Sequence, residues 1–129
     1  MTRDDEPVSV QVALEPGPVD GRRILTVTVT IAPGYHVYAE PTPPGFVPLS
    51  VRLAPASATV AGPPAWPPAE RLTIEDLPDE FWVYHGTVVG RLPIEVRSGV
   101  VEGEVAYQAC TEVACYLPTS VAFRLSADG

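Results

Sequence analysis

Sixteen prolines scattered through 129 residues set the first limit on this chain. A proline inside a helix removes a hydrogen bond, clashes with the preceding turn and costs about 3 kcal/mol, so long helices are excluded. What lies between the prolines alternates with period two. Val8, Val10, Val12 and Leu14 alternate with Ser9, Gln11 and Ala13. Leu25, Val27, Val29 and Ile31 form one face of a second segment, with Thr26, Thr28 and Thr30 on the other. β-Branched residues at that period suit a pleated, half-buried surface.

The rest of the chain repeats this pattern. Tyr35–Ala39 resumes extended after Pro33-Gly34, and Pro41–Pro48 reads as a proline-rich connection. Further strands are expected at Val47–Leu53, Ala58–Ala61, Leu72–Ile74, Thr87–Val96, Val100–Gln108 and Val121–Leu125, with Phe81-Trp82-Val83-Tyr84 following the acidic turn. Gly90 reads as a bulge and Pro93 as an edge or bulge marker within their strand. Turn signals fall at Pro16-Gly17-Pro18, Asp20-Gly21, Ser98-Gly99 and an acidic stretch at Glu75–Glu80. Roughly seven to nine short strands separated by such turns predict an all-β, immunoglobulin-like antiparallel sandwich. The expected organisation is a frayed N-terminus at 1–7 followed by one domain over 8–126.

Charge narrows the partners. The net charge is −8, and every basic residue is arginine. Phosphate backbones and anionic lipid surfaces need a basic face, so neither nucleic acid nor membrane surface is an expected partner. The uncharged runs Ile24–Ala39 and Leu53–Ala69 are broken by proline and glycine and too short to span a bilayer, so no direct membrane insertion is expected. The acidic start, with Pro7, lacks the basic and apolar pattern of a signal peptide.

The chain's two cysteines, Cys110 and Cys115, stand with four residues between them in V-A-Y-Q-A-C-T-E-V-A-C-Y-L-P. Chemistry leaves three uses open. An inert cystine closing so small a loop stabilises by about 2 kcal/mol in the chain-entropy relation, a modest gain for a chain able to bury a core. A redox-active pair at a hairpin tip keeps its sulfurs accessible to an attacking thiolate. A metal site would need His36 and His85 as well, and that spacing is a weak zinc signal.

Tyr107-Gln108-Ala109-Cys110 followed by Cys115-Tyr116-Leu117-Pro118 resembles the cysteine motif of the N-terminal periplasmic domain of the DsbD thiol:disulfide interchange family. Pro33-Gly34-Tyr35-His36-Val37-Tyr38 is similar to an early segment of that family, and Asp79-Glu80-Phe81 to its cap loop. The three matches occur in the family's order. This chain has four residues between its cysteines where some members have five, and its cap continues through Trp82 to Gly86.

The resemblance implies an immunoglobulin-like fold and a Cys110–Cys115 disulfide that exchanges electrons with thioredoxin-like partners, with Cys115 bonding the partner. No cofactor beyond the cysteine pair is implied. A transmembrane electron-transfer domain of the same parent protein is a further implied partner, and the periplasm or another extracytoplasmic bacterial compartment the implied location. Phe81 would shield the sulfurs, within a cap of Asp79, Glu80 and Trp82. Tyr35, His36, Tyr38, Tyr107 and Gln108 would support the pair. Acidic Asp79, Glu80 and Glu112 near a thiol would raise its pKa.

Overall fold

The computed structural model describes residues 7–17, 21–73, 80–111 and 113–127. The chain of described residues is strand and turn, without helix. It forms β1 (Val8–Pro16), β2 (Arg22–Ile31), β3 (His36–Ala39), β4 (Ser50–Leu53), β5 (Ala58–Val60), β6 (Glu70–Thr73), β7 (Glu80–Tyr84), β8 (Thr87–Val96), β9 (Val100–Tyr107), β10 (Ala109–Cys110) and β11 (Thr119–Ser126). Residues 1–6 of the expected frayed terminus, the turn at Pro18 and Asp20, Ile74 and most of the acidic turn lie outside the described residues.

Two larger sheets, ordered β1-β2-β8-β5 and β11-β9-β4, make the immunoglobulin-like sandwich. Their inward residues share one core. Leu25, Val27 and Val29 of β2 and Val88, Leu92 and Ile94 of β8 meet Val101 and Val105 of β9 there. The threonines of β2 alternate outward, as the sequence pattern dictates.

A third sheet, ordered β10-β3-β7-β6, is built from continuations of the other two. The last β2–β8 pair is Thr30↔Thr87, and the ladder resumes at Val37↔Tyr84. Val37 lies seven positions beyond Thr30, whereas Tyr84 lies three before Thr87. The four extra positions are taken up at Ala32–Tyr35, where Tyr35 N–H donates to the Ala32 carbonyl and Gly34 adopts φ +86°. That left-handed conformation suits a residue without Cβ. On the other side of the sandwich, β9 passes through Gln108 into β10.

Register divides this small sheet into two faces. Val37 and Ala109, paired with each other, turn toward the main core. Cys110 pairs with His36, Tyr38 with Val83 and Leu72 with Phe81, so these six residues share the opposite face. Both faces are covered, and β3 is buried at all four positions.

Three sequence expectations change. The strand expected from Val47 begins only at Ser50, because the Val47 N–H donates to the Gln108 side chain and Leu49 N–H to the Tyr38 carbonyl. Gly90 is not a bulge, for β2 and β8 pair without a break from Arg22↔Glu95 to Thr30↔Thr87. Its role is close packing: a Cβ at Gly90 would overlap the Trp66 ring. Pro93 marks neither a bulge nor an edge, since its register is unbroken and β8 runs between β2 and β5. Its carbonyl accepts from Ala61 N–H just beyond the end of β5, so its missing donor falls where that neighbouring strand stops.

Gly90→Ala is expected to destabilise the protein by about 1–3 kcal/mol through overpacking against Trp66. Urea unfolding measures this directly. An unchanged midpoint would mean that the ring moves aside without cost.

Candidate functional site

The cysteines sit at the tip of one long hairpin. β9 and β11 pair from Val100↔Ser126 up to Tyr107↔Thr119. Beyond that point Cys110 faces Cys115 in an isolated antiparallel bridge. Cys110 lies three positions after Tyr107, whereas Cys115 lies four before Thr119, so the outer arm carries one extra residue near Leu117-Pro118.

The hydrogen bonds around the bridge explain why the sulfurs meet. Thr111 N–H donates to the Ala114 carbonyl at 2.7 Å, and Tyr116 N–H to the Ala109 carbonyl at 2.9 Å. Cys110 and Cys115 therefore occupy the non-hydrogen-bonded position between them, where facing residues approach most closely. Their Cα atoms are 4.0 Å apart and the sulfurs are bonded. Thr111 shapes the tip: its hydroxyl accepts from the N–H groups of Val113 and Ala114. Side-chain bonds of this kind replace ladder bonds in a tight turn.

The two cysteines differ in exposure. Cys110 is 0% exposed, within a cluster of Tyr38, Phe81 and Val83 against which Phe46 and Leu72 pack. Cys115 is exposed. Around it stand the exposed apolar side chains of Val113, Tyr116 and Leu117.

The cluster is aromatic. Tyr38, Phe46 and Phe81 contact one another with ring centroids 5.1–5.5 Å apart. Tilted and edge-to-face rings at this spacing add about 0.5–1.5 kcal/mol per pair beyond burial. The Tyr38 hydroxyl lies 3.6 Å from Cys115 Sγ. Burial pushes the Tyr38 phenol above its ordinary 10.0, so it remains a neutral donor at physiological pH. Tyr35 and Tyr116 join hydroxyls at 3.1 Å with rings at right angles. The hydrogen bond to Tyr35, then its charge and burial, raise the Tyr116 phenol.

The residues expected at the site are distributed as follows. Phe81 lies in the cysteine cluster but on β7 rather than on a loop. Trp82, the next residue, occupies the opposite face of that strand and pairs with Ala39. Asp79, Glu112 and the Glu80 side chain lie outside the described residues. His36 is buried, paired with Cys110 and edge-on to Tyr38. Tyr107 goes elsewhere: its ring is drawn into the main core shared by the larger sheets. Gln108 accepts from Val47 N–H at 3.0 Å and donates to the Tyr116 carbonyl at 3.3 Å.

Phe46 was not expected here. It comes from the Pro41–Pro48 connection, whose composition reads only as loop. The signal was a lone aromatic among prolines. The sulfurs are bonded to each other and His85 Nδ1 faces Glu70 at 3.2 Å. Among the described residues no group of three or more His, Cys, Asp or Glu is placed to hold an ion. No helix among them is long and apolar enough to cross a membrane.

Comparison with solved structures places this geometry among known folds. The N-terminal periplasmic domain of ScsB from Proteus mirabilis aligns with a TM-score of 0.76 at 18% identity. That alignment covers 99% of this chain and 49% of the ScsB chain, so the chain spans about half its length. The reduced N-terminal domain of DsbD from Neisseria meningitidis aligns at 0.61 with 24% identity, over 81% of this chain and 78% of that one. A third structure, the complex between the DsbD N-terminal and PilB N-terminal domains from Neisseria meningitidis, aligns at 0.65 with 20% identity, covering 96% and 86%. No curated protein matches the sequence. Residues 4–127 match the family described as thiol:disulfide interchange protein DsbD, N-terminal, and the chain belongs to that family.

Proposed function

We propose that this domain relays electrons by thiol–disulfide exchange through Cys110 and Cys115, taking thioredoxin-fold proteins or domains as partners. The observation that carries this reading is the unequal exposure of two bonded cysteines. Cys110 is sealed in an aromatic cluster, while Cys115 is open and rimmed by Val113, Tyr116 and Leu117. An inert cystine has no need of an exposed apolar rim. A disulfide that must admit a partner thiol does, because exchange requires access to one sulfur. The Neisseria complex with PilB, a related domain bound to another protein, supports a protein partner.

In this reading a partner thiolate attacks Cys115 Sγ. The Cys110–Cys115 bond breaks, a mixed disulfide forms at Cys115, and Cys110 leaves as the thiolate. The partner's second thiolate then attacks its own sulfur in the mixed disulfide and releases Cys115. The domain is left reduced by two electrons, with two protons taken up, and the partner is oxidised. The reverse sequence begins with Cys115 thiolate attacking a partner disulfide and ends with Cys110 resolving the mixed disulfide. The relative potentials set the direction, and no further cofactor is required.

Supporting roles follow from position. Tyr38 donates a hydrogen bond to the Cys115 thiolate and favours it over the thiol. Phe81, with Leu72 and Val83, walls off Cys110 from adventitious thiols. His36, paired with Cys110, and Tyr35, bonded to Tyr116, brace the strands on either side of the pair. An oxidising extracytoplasmic compartment such as the bacterial periplasm suits a cystine that must re-form. A transmembrane electron-transfer domain of the same parent protein is a second fitting partner. The reaction class is that of a protein-disulfide reductase relay.

Three outcomes test this reading. Cys110→Ser, mixed with an oxidised thioredoxin-fold protein, is expected to form a covalent complex through Cys115 that dithiothreitol dissolves on a gel. Trapping by Cys115→Ser instead would reverse the assignment, and trapping by neither, with a midpoint well below about −300 mV, would mark an inert cystine. Tyr38→Phe is expected to raise the Cys115 thiol pKa by about one unit, the loss of one hydrogen bond to a charged group. The pH dependence of alkylation in a Cys110→Ser background reads this. The Tyr38 phenol is itself raised above 10.0, so its donation persists through neutral pH. Val113→Ser with Leu117→Ser is expected to slow exchange with the protein partner while leaving reduction by dithiothreitol within about twofold, because exposed substitutions rarely disturb a fold.

A further inference from the structure

One side chain ties the proline-rich connection to the cysteine hairpin. Gln108 stands where the chain leaves β9 for β10, outside both strands, and is 7% exposed. Its Oε1 accepts from Val47 N–H at 3.0 Å, and its Nε2 donates to the Tyr116 carbonyl at 3.3 Å. Val47 and Tyr116 also lie outside strands. Val47 follows Phe46, whose ring packs against the cluster holding Cys110. Tyr116 follows Cys115. The two ends of one carboxamide therefore grip the shielding loop and the exposed arm of the disulfide.

We propose that Gln108 is a positioning residue that couples the Phe46 loop to the Cys115 arm, so that displacing the arm also loosens the Phe46 ring from the disulfide cluster. The inference rests on the exchange reading above. The coupling comes from the shape of the group. A carboxamide is planar, so its oxygen and nitrogen turn together. If the Cys115 arm shifts outward, the amide must follow it and abandon Val47, or stay and leave Nε2 buried without that acceptor. An unmade buried hydrogen bond costs more than a made one gains, which favours both bonds holding or both failing.

The loop is built to move as a unit. Phe46 N–H donates to the Pro43 carbonyl, and the Thr42 hydroxyl to the Phe46 carbonyl, both at 3.4 Å. Two residues past Val47, Leu49 N–H is fixed to the Tyr38 carbonyl at 2.7 Å. Release at Val47 thus frees Phe46 and the residues before it while the chain stays anchored to β3 at Leu49.

The test is a double-mutant cycle on the full oxidised chain, reading the rate of disulfide reduction by dithiothreitol. Gln108→Leu is expected to speed reduction about fivefold, the factor one hydrogen bond is worth. Phe46→Ala is expected to speed it at least as much. The double variant is expected to react no faster than Phe46→Ala alone, since the two changes remove one device. Gln108→Glu retains size and the acceptor for Val47 while losing the donor to Tyr116, and serves in the same cycle if Gln108→Leu does not fold. Independent, multiplying accelerations would overturn the coupling, as would a normal rate in both Gln108 variants. Because no protein partner enters this assay, the two readings fail separately. Multiplying accelerations with intact trapping through Cys115 sink the coupling alone, and absent trapping with accelerations that do not multiply sinks the exchange reading alone.

Discussion

The structure depends most on one backbone register: the pairing that sets Cys110 opposite Cys115 in a non-hydrogen-bonded position. Side chains at such a position approach closely and point to the same face. A slip by one residue would send one cysteine to the other side of the sheet. The register is held from both ends. Behind the pair runs the β9–β11 ladder, and ahead of it the Thr111 turn closes the tip. A single extra residue on the outer arm, close to Pro118, is absorbed between the two.

That register matters because of the sheet it feeds. β10 joins β3 and β7, which continue the β2–β8 ladder beyond the main sandwich. The small sheet closes the main core with Val37 and Ala109 on one face and presents Cys110, His36, Tyr38, Val83, Phe81 and Leu72 on the other. The wall behind the disulfide is therefore a strand face, positioned by the same ladders that hold the fold together. A site on strands is held more tightly than one on loops. Only the outer elements, the Phe46 connection and the Cys115 arm, depend on side-chain ties.

Much of this was legible in the residues. Alternation and turn residues gave the strands, since a half-buried strand writes its faces into the sequence with period two. The Tyr-Gln-x-Cys and Cys-x-x-Pro flanks pointed to the family, and Phe81 to the cluster around Cys110. Other residues could not be read this way. Tyr107, beside the cysteine motif, packs into the main core because β9 still faces the sandwich at that point. Gly90 resembled a bulge, whereas it makes room for Trp66, a neighbour 24 positions away in the chain. Phe46 lay in a segment without periodicity, where sequence carries no information about which way a ring turns.

What the sequence determined by itself was local: no long helix, alternating strands, turns at Gly and Pro, and two cysteines close enough to bond. These follow from dihedral limits and from burial at fixed period, which act within a few residues. Tertiary structure alone decided which cysteine is exposed. Cys110 is sealed because β3, β7 and the Pro41–Pro48 connection bring Tyr38, Phe81 and Phe46 around it, while Cys115, five residues later, falls on the open arm. Exposure depends on what packs across space, and that is set by the register of strands far apart in sequence.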